Sequence, residues 1–301
     1  MRIKPLGRTG LSISEVSIGG GRVGGILIFP PEEVRAAALE RASAAGINWV
    51  DTAPSYGDGE SESTLGRLGR RFQISTKVQF RPGDNADIRG TIERSLEGSL
   101  RRLQRDSVEL LQLHNHLGEG SERRLSVHDV LRSGGVAETL ARLKERGLIK
   151  AMGMTVAGDT AACLEVIASG LFDTAQVYYN VLNPSAAWTR TPSRWSAQDF
   201  SGVLAACQAQ RMGVLNIRVF AGGSLASPVR HGREFVMASG SDLDSEARRA
   251  AALQDVLGAQ HGSPAQRAVR FCLGEDRIAT CVTGMAEPAH LDEVQIGRAH
   301  V

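Results

Sequence analysis

Three successive apolar runs each close on an ionisable residue, and this pattern limits the possible folds more than any other. Ile47 to Val50 reads as a buried strand and is followed at once by Asp51. Trp49 and Val50 favour a strand, and Pro54 and Gly57 suit the short loop that carries Tyr56. A carboxylate at a buried strand end needs a partner to offset its desolvation. The next run, Phe72 to Lys77, ends in a lysine, and the one after, Val108 to His114, ends in a histidine. In a parallel barrel all strand C-termini open on one face, and that face carries the chemistry.

The rest of the chain repeats the same unit. A hairpin is expected over Ile3 to Ser14, then a strand over Val16 to Ile18 and a helix over Pro31 to Ala45, with Pro31, Glu32 and Glu33 suited to its first turn. Helices are expected over Glu60 to Arg67 and Ile88 to Leu103, the latter with Ile92, Leu96, Leu100 and Leu103 on one face. A polar loop covers Gly118 to Ser126, and a helix Val136 to Arg146. Strands over Leu148 to Thr155, Thr174 to Tyr179, Val214 to Phe220 and Ile278 to Thr283 alternate with helices over Asp159 to Ser169, Ser196 to Arg211, Asp244 to Leu257 and Ser263 to Leu273. Asn183 to Arg194 and Ser227 to Ser241 read as irregular, and a short helix starts near Glu287. Eight strands alternating with helices in this length predict a (β/α)8 barrel with an N-terminal β-hairpin, one domain over residues 1–295. Residues 296–301 are what a widely used sequencing adapter encodes in frame, so they are expected to be an artefactual end of a truncated frame.

Composition narrows the function. The net charge of +2 gives no electrostatic argument for nucleic acid or an acidic membrane. No apolar run approaches the roughly 18 residues of a spanning helix, and the start lacks a signal-like segment. Cys163, Cys207, Cys272 and Cys281 lie far apart in apolar contexts, as expected of buried thiols in a reducing cytoplasm.

Asp51, Tyr56, Lys77 and His114 at one barrel mouth suit acid catalysis on a carbonyl. Tyrosine, with an ordinary pKa of about 10, gives up a proton more readily beside an ammonium. Lys77 is the candidate for that charge, Asp51 for its anchor, and His114 for a donor to the substrate oxygen. Each has a plainer reading alone: a turn cap, a rim aromatic, a solvated strand end, a core histidine.

The surroundings carry more. Asp51 to Gly57, Ser75 to Val78 and Leu111 to His114, with the opening Leu6 to Leu11, resemble the aldo-keto reductase superfamily from Leu6 to about Val294. The resemblance implies an NAD(P)-dependent oxidoreductase on a (β/α)8 barrel. Hydride would pass between nicotinamide and a carbonyl carbon while Tyr56 protonates the oxygen. It implies that Thr155 and Gln176 hold the nicotinamide carboxamide. It also implies that the loop Ala221 to Leu225, with Ala221, Gly222 and Gly223, wraps the pyrophosphate, that Arg218 binds cofactor beside the nicotinamide-stacking position, and that Gly284 and His290 lie at the adenosine end.

Three positions depart from the family pattern. Val156 replaces an asparagine, and Ile217 stands where an aromatic often stacks on nicotinamide, so that platform is expected to be missing or supplied from elsewhere. The Lys and Arg that grip a 2′-phosphate are absent between Gly284 and His290, and Glu287 repels one. NADP is expected as the family default, with NAD a close second. The substrate is expected to be a small carbonyl compound or sugar, reached by loops bearing Phe29, Phe80, Trp188 and Trp195 with Arg81, Arg190 and Arg194.

Rival readings are a Schiff-base aldolase using Lys77 and a nucleotide-binding regulatory barrel with little turnover. Gly19, Gly21 and Gly24 match G-x-G-x-x-G after a strand, but no helix start follows, so they are read as a flexible first loop at the mouth. His114 and His116 lack a third ligand at convincing spacing, and no metal is expected.

Overall fold

The computed structural model describes residues 1–119, 124–230, 232–234, 242–258 and 260–295. Its strands Val16–Gly19, Trp49–Asp51, Gln73–Val78, Val108–Leu113, Ile149–Thr155, Thr174–Tyr178, Gly213–Ile217 and Thr280–Gly284 close into a parallel barrel in chain order. Helices alternate with them, which gives the (β/α)8 architecture. The tail over 296–301 lies outside the described residues, as do 120–123 of the expected loop Gly118 to Ser126 and 235–241 of the irregular stretch Ser227 to Ser241.

The hairpin forms as expected, with Ile3–Pro5 antiparallel to Ser12–Ser14. It plugs the barrel from below. Leu6 and Ile13 join Trp49, Leu110, Ala151 and Leu215 in an interior cluster. Glycine is required at this junction, because a Cβ on Gly7 would stand 2.1 Å from the Gly213 nitrogen. A larger apolar layer lies between the strands and the helices.

Helix ends follow local chemistry. Ser263 and Gln266 form a capping box with Pro264 in the first turn. Asp87 caps the helix Ile88–Leu103 through Gly90 N–H. On that helix Ser99 is fully buried and Leu100 only half-buried, a small rotation of the expected face.

Three expectations need correction. The helix expected over Ser196 to Arg211 spans only Val203–Ala209. Side chains claim the backbone before it: Asn183 Nδ2 donates to Gln198 O, and Phe200 N–H donates to Ser185 Oγ. Gly202 then enters the helix from a left-handed φ of 82°. The seventh strand stops at Ile217, because Arg218 adopts φ 62° and Asn180 Nδ2 donates to its carbonyl. The loop expected over Gly118 to Ser126 contributes Arg124–Leu125, which pairs in parallel with His116–Leu117, and a short helix Val127–Leu131 follows.

Candidate active site

Strand register places the ionisable residues. Asp51 pairs with Ser75, and Lys77 lies two residues further along that strand, on the same inward face one layer higher. Lys77 pairs in turn with Gln112 on the fourth strand. His114 follows that strand's end and extends the ladder through its N–H to Val78 O. Thr155 pairs with Gln176 between the fifth and sixth strands.

The four expected residues come together. Lys77 is 1% exposed, and its Nζ donates to Asp51 Oδ2 at 2.5 Å and to Thr52 O at 2.8 Å. The same nitrogen lies 4.7 Å from the centre of the Tyr56 ring. Tyr56 and His114 meet edge to face with centroids 6.1 Å apart. Burial alone would lower the Lys77 pKa, but the Asp51 carboxylate and Tyr56 outweigh it and hold the ammonium above the ordinary lysine value. His114 goes the other way: burial, with Lys77, His116 and Arg218 adding positive charge, pushes it down to about 3. It is therefore neutral near pH 7. Its Nδ1 is buried without a partner, which leaves Nε2 as the nitrogen available to a ligand.

Above this cluster opens a cavity of about 1600 Å³. Asp51, Tyr56 and His114 line it, with Thr155, Gln176, Arg218, Ala221, Gly222, Gly223, Gly284 and His290. Every catalytic or cofactor-binding residue expected from the sequence thus reaches it except Lys77, which sits beneath its floor. Thr155 Oγ1 donates weakly to Gln176 Oε1 at 3.4 Å, and Gln176 Nε2 donates to Asp51 Oδ1 at 2.7 Å. Ala221, Gly222 and Gly223 all take positive φ, and the turn is closed by Ala221 N–H donating to Arg218 O and Gly223 N–H donating to Phe220 O. Two non-glycine residues, Arg218 and Ala221, share that strained region within four positions. After the last strand, Ala286 N–H donates to His290 Nδ1, so that imidazole is occupied on one side.

The glycine run after the first strand packs against the residue that follows the last strand. Ile26 N–H donates to Met285 O, and a Cβ on Gly24 would stand 2.4 Å from Met285 N. Gly21 faces the Tyr56 ring at ordinary contact distance. The expected substrate aromatics fare differently. Phe80 is buried, Trp188 and Trp195 pack on each other, and neither these three nor Phe29 lines the cavity. Arg81, Arg190 and Arg194 are also elsewhere; the arginines on the described wall are Arg22, Arg218, Arg233 and Arg249.

Sequence reasoning missed three residues. Ser75 and Gln112 both donate to Asp51 Oδ1, at 2.8 and 3.0 Å. Their signal was a polar residue two positions before Lys77 and His114, the inward phase of a period of two. Tyr178 is the third. It pairs in register with Ile217, lines the cavity, stacks on Phe200, and lies 5.9 Å beneath the Arg218 guanidinium. An aromatic therefore does stand beside Ile217, supplied by the neighbouring strand.

A closed parallel barrel with an Asp, Tyr, Lys and His cluster under a large cavity at its C-terminal face defines a (β/α)8 protein of enzyme type. The Aldo/keto reductase family model matches residues 15–295, and the chain belongs to that family. It is 30% identical over 166 residues to L-galactose dehydrogenase of Arabidopsis thaliana, a match covering 52% of this chain. The chain spans about half the length of that curated relative, 48%. It is 28% identical to D-threo-aldose 1-dehydrogenase of a Pseudomonas species over 94% of this chain and 89% of that one. The structure of aldo-keto reductase AKR11C1 from Bacillus halodurans superposes with a TM-score of 0.73 over 98% of this chain and 90% of that one, at 22% identity, a likeness of fold.

Proposed function

We propose that the protein is an NAD(P)-dependent oxidoreductase that interconverts a carbonyl group and an alcohol, with Tyr56 as general acid and base. The observation that carries this is the position of Lys77 Nζ, donating to Asp51 Oδ2 and 4.7 Å from the Tyr56 ring centre. An ammonium held charged there stabilises phenolate and eases proton release to a substrate oxygen. Asp51 anchors the ammonium. Neutral His114 offers Nε2–H to the same oxygen and orients the carbonyl. Asp51, Lys77 and His114 sit at strand ends of a rigid barrel and Tyr56 on the short loop after Asp51, so the geometry is set before a ligand arrives.

The cavity fits a dinucleotide. The bound nicotinamide supplies the hydride. Thr155 and Gln176 hold its carboxamide, the positive-φ turn at Ala221 to Gly223 receives the pyrophosphate, and Gly284 with His290 takes the adenosine end. Arg218 lies between the two regions and completes the charge around them. NADP is the cofactor of this reading, with NAD a close second, because Glu287 lines the adenosine end and opposes a 2′-phosphate. Two of the dehydrogenases among the relatives are named for sugars, L-galactose and D-threo-aldose, and a third for pyridoxal, which supports a small sugar or aldehyde as substrate. The chain is read as one cytoplasmic domain over residues 1–295, and its four buried free cysteines accord with a reducing compartment.

The aldolase alternative is opposed by the state of Lys77. A Schiff-base lysine needs a neutral amine and a depressed pKa, whereas Asp51 and Tyr56 raise this one. Titrating the protein with NADPH and NADH by nucleotide fluorescence tests the main reading. Saturable binding of either supports it. A folded sample that binds neither overturns it, and borohydride trapping at Lys77 would then test the aldolase. Turnover by a nucleotide-binding sample separates enzyme from regulatory barrel.

A further inference from the structure

Asp51 Oδ1 accepts three hydrogen bonds from neutral donors. Ser75 Oγ lies at 2.8 Å, Gln112 Nε2 at 3.0 Å and Gln176 Nε2 at 2.7 Å, while Lys77 takes Oδ2. The donors are built in from below. Ser75 is itself held by Trp49 Nε1 at 3.0 Å. Gln112 is fully buried, and the space it enters exists because its strand neighbour is Gly153, where a Cβ would stand 2.9 Å from Gln112 Cγ.

The Gln112 amide can face Asp51 in only one sense. Its Nε2 meets the carboxylate, and its Oε1 is left buried without a partner. The reverse orientation would set an acceptor against an acceptor. An amide that leaves its oxygen unsatisfied in order to donate to a carboxylate is placed for the carboxylate's sake. Gln176 is different, because the cofactor reading gives its amide a second task at the nicotinamide carboxamide. Gln112 has no access to the cavity and no competing ligand.

We propose that Gln112 is a positioning residue of the proton-transfer site, holding Asp51 Oδ1 from the barrel interior so that Oδ2 stays on Lys77 whatever Gln176 does. This rests on the functional reading above. Its second consequence is electrostatic. Neutral donors draw off part of the carboxylate's charge, so Asp51 anchors Lys77 without cancelling the positive field that Tyr56 feels. Without Gln112 the carboxylate neutralises the ammonium more completely, and phenolate at position 56 becomes harder to form.

The test is spectroscopic and needs neither cofactor nor substrate. The chain has three tyrosines, and burial pushes Tyr178 up and Tyr179 up to about 12. The tyrosinate absorbance transition that disappears in Tyr56→Phe reports this one residue. Gln112→Met, a near-isostere without the donor, should move that transition up by about half a pH unit or more. Gln112→Leu, a second side chain without the donor, should move it in the same direction. Transitions unmoved from wild type in both variants would overturn the proposal and leave Gln112 as packing. If Gln112→Met does not fold, Gln112→Leu decides alone: an upward shift upholds the role and none overturns it. Nucleotide titration of the wild type reads the cofactor assignment separately, so failure there is distinct from failure here.

Discussion

Gln176 Nε2 donates to Asp51 Oδ1 at 2.7 Å, joining two residues 125 positions apart in the chain. One amide thus touches both the ionisable cluster and, through Thr155, the wall of the cavity. The proposed cofactor subsite and the proposed proton-transfer site are neighbours in one hydrogen-bond network. Networks of this kind are altered as units, so single substitutions should be read by which property they spare.

Tyr56→Phe removes only a hydroxyl. Turnover should fall by about 10²- to 10⁴-fold, the usual span for a lost general acid. Fluorescence titration should find nucleotide affinity within about threefold of wild type, since the ring and its contacts remain. Wild-type turnover in this variant would remove Tyr56 from the mechanism.

Lys77→Met leaves the Asp51 charge buried without its cation. The expected cost is about 3–5 kcal/mol, the range for breaking a buried pair, read by urea unfolding at neutral pH. The Lys77 pKa is raised in the folded protein, so its contribution is complete below the ordinary lysine value. It is lost as pH rises through the higher folded value. Wild-type stability should therefore drop in strong alkali, and the Met variant should lack that drop.

His114 gives the opposite limb. Its folded pKa of about 3 lies below the unfolded 6.5, so between them only the unfolded chain binds the proton. Stability should fall as pH drops from about 6.5 towards 3, at up to about 1.4 kcal/mol per pH unit. His114→Gln should flatten this slope in denaturant series taken at several pH values. An equal slope in the variant would assign the acid sensitivity elsewhere.

Gly24→Ala places a methyl 2.4 Å from the backbone nitrogen of Met285. Neither partner is a flexible side chain, so the loop must move. A loss of about 1–3 kcal/mol is expected from overpacking, with weaker nucleotide binding because the displaced segment lines the cavity. A melting curve matching wild type would show that the contact relaxes freely.

His290→Ala should lower NADPH affinity by about three- to tenfold and leave NADH nearly unchanged, if the imidazole meets a 2′-phosphate. Parallel titrations check this. Equal losses for both nucleotides would move His290 from phosphate recognition to general shape.

Much of the fold was legible because its signals are local. Alternating strand and helix patterns, Gly and Pro at boundaries, and Ser263-Pro264 at a helix start each reflect backbone preferences within a few residues. The helix expected from Ser196 failed for a non-local reason. Asn183 and Ser185, more than ten residues earlier, take hydrogen bonds from or give them to that backbone, and no local periodicity encodes this. The pocket aromatics were misplaced for a similar reason, since Trp188 and Trp195 satisfy each other.

The sequence by itself determined the strand ends that carry Asp51, Lys77 and His114, and the loop that carries Tyr56, because a buried ionisable group on an apolar strand is costly without a partner. Tertiary structure alone decided who those partners are. Ser75, Gln112 and Gln176 meet on one oxygen of Asp51 because barrel closure brings inward-facing residues of the second, third, fourth and sixth strands to one point. Register across strands is set by the packing of the whole barrel, so no single stretch of chain contains that meeting point.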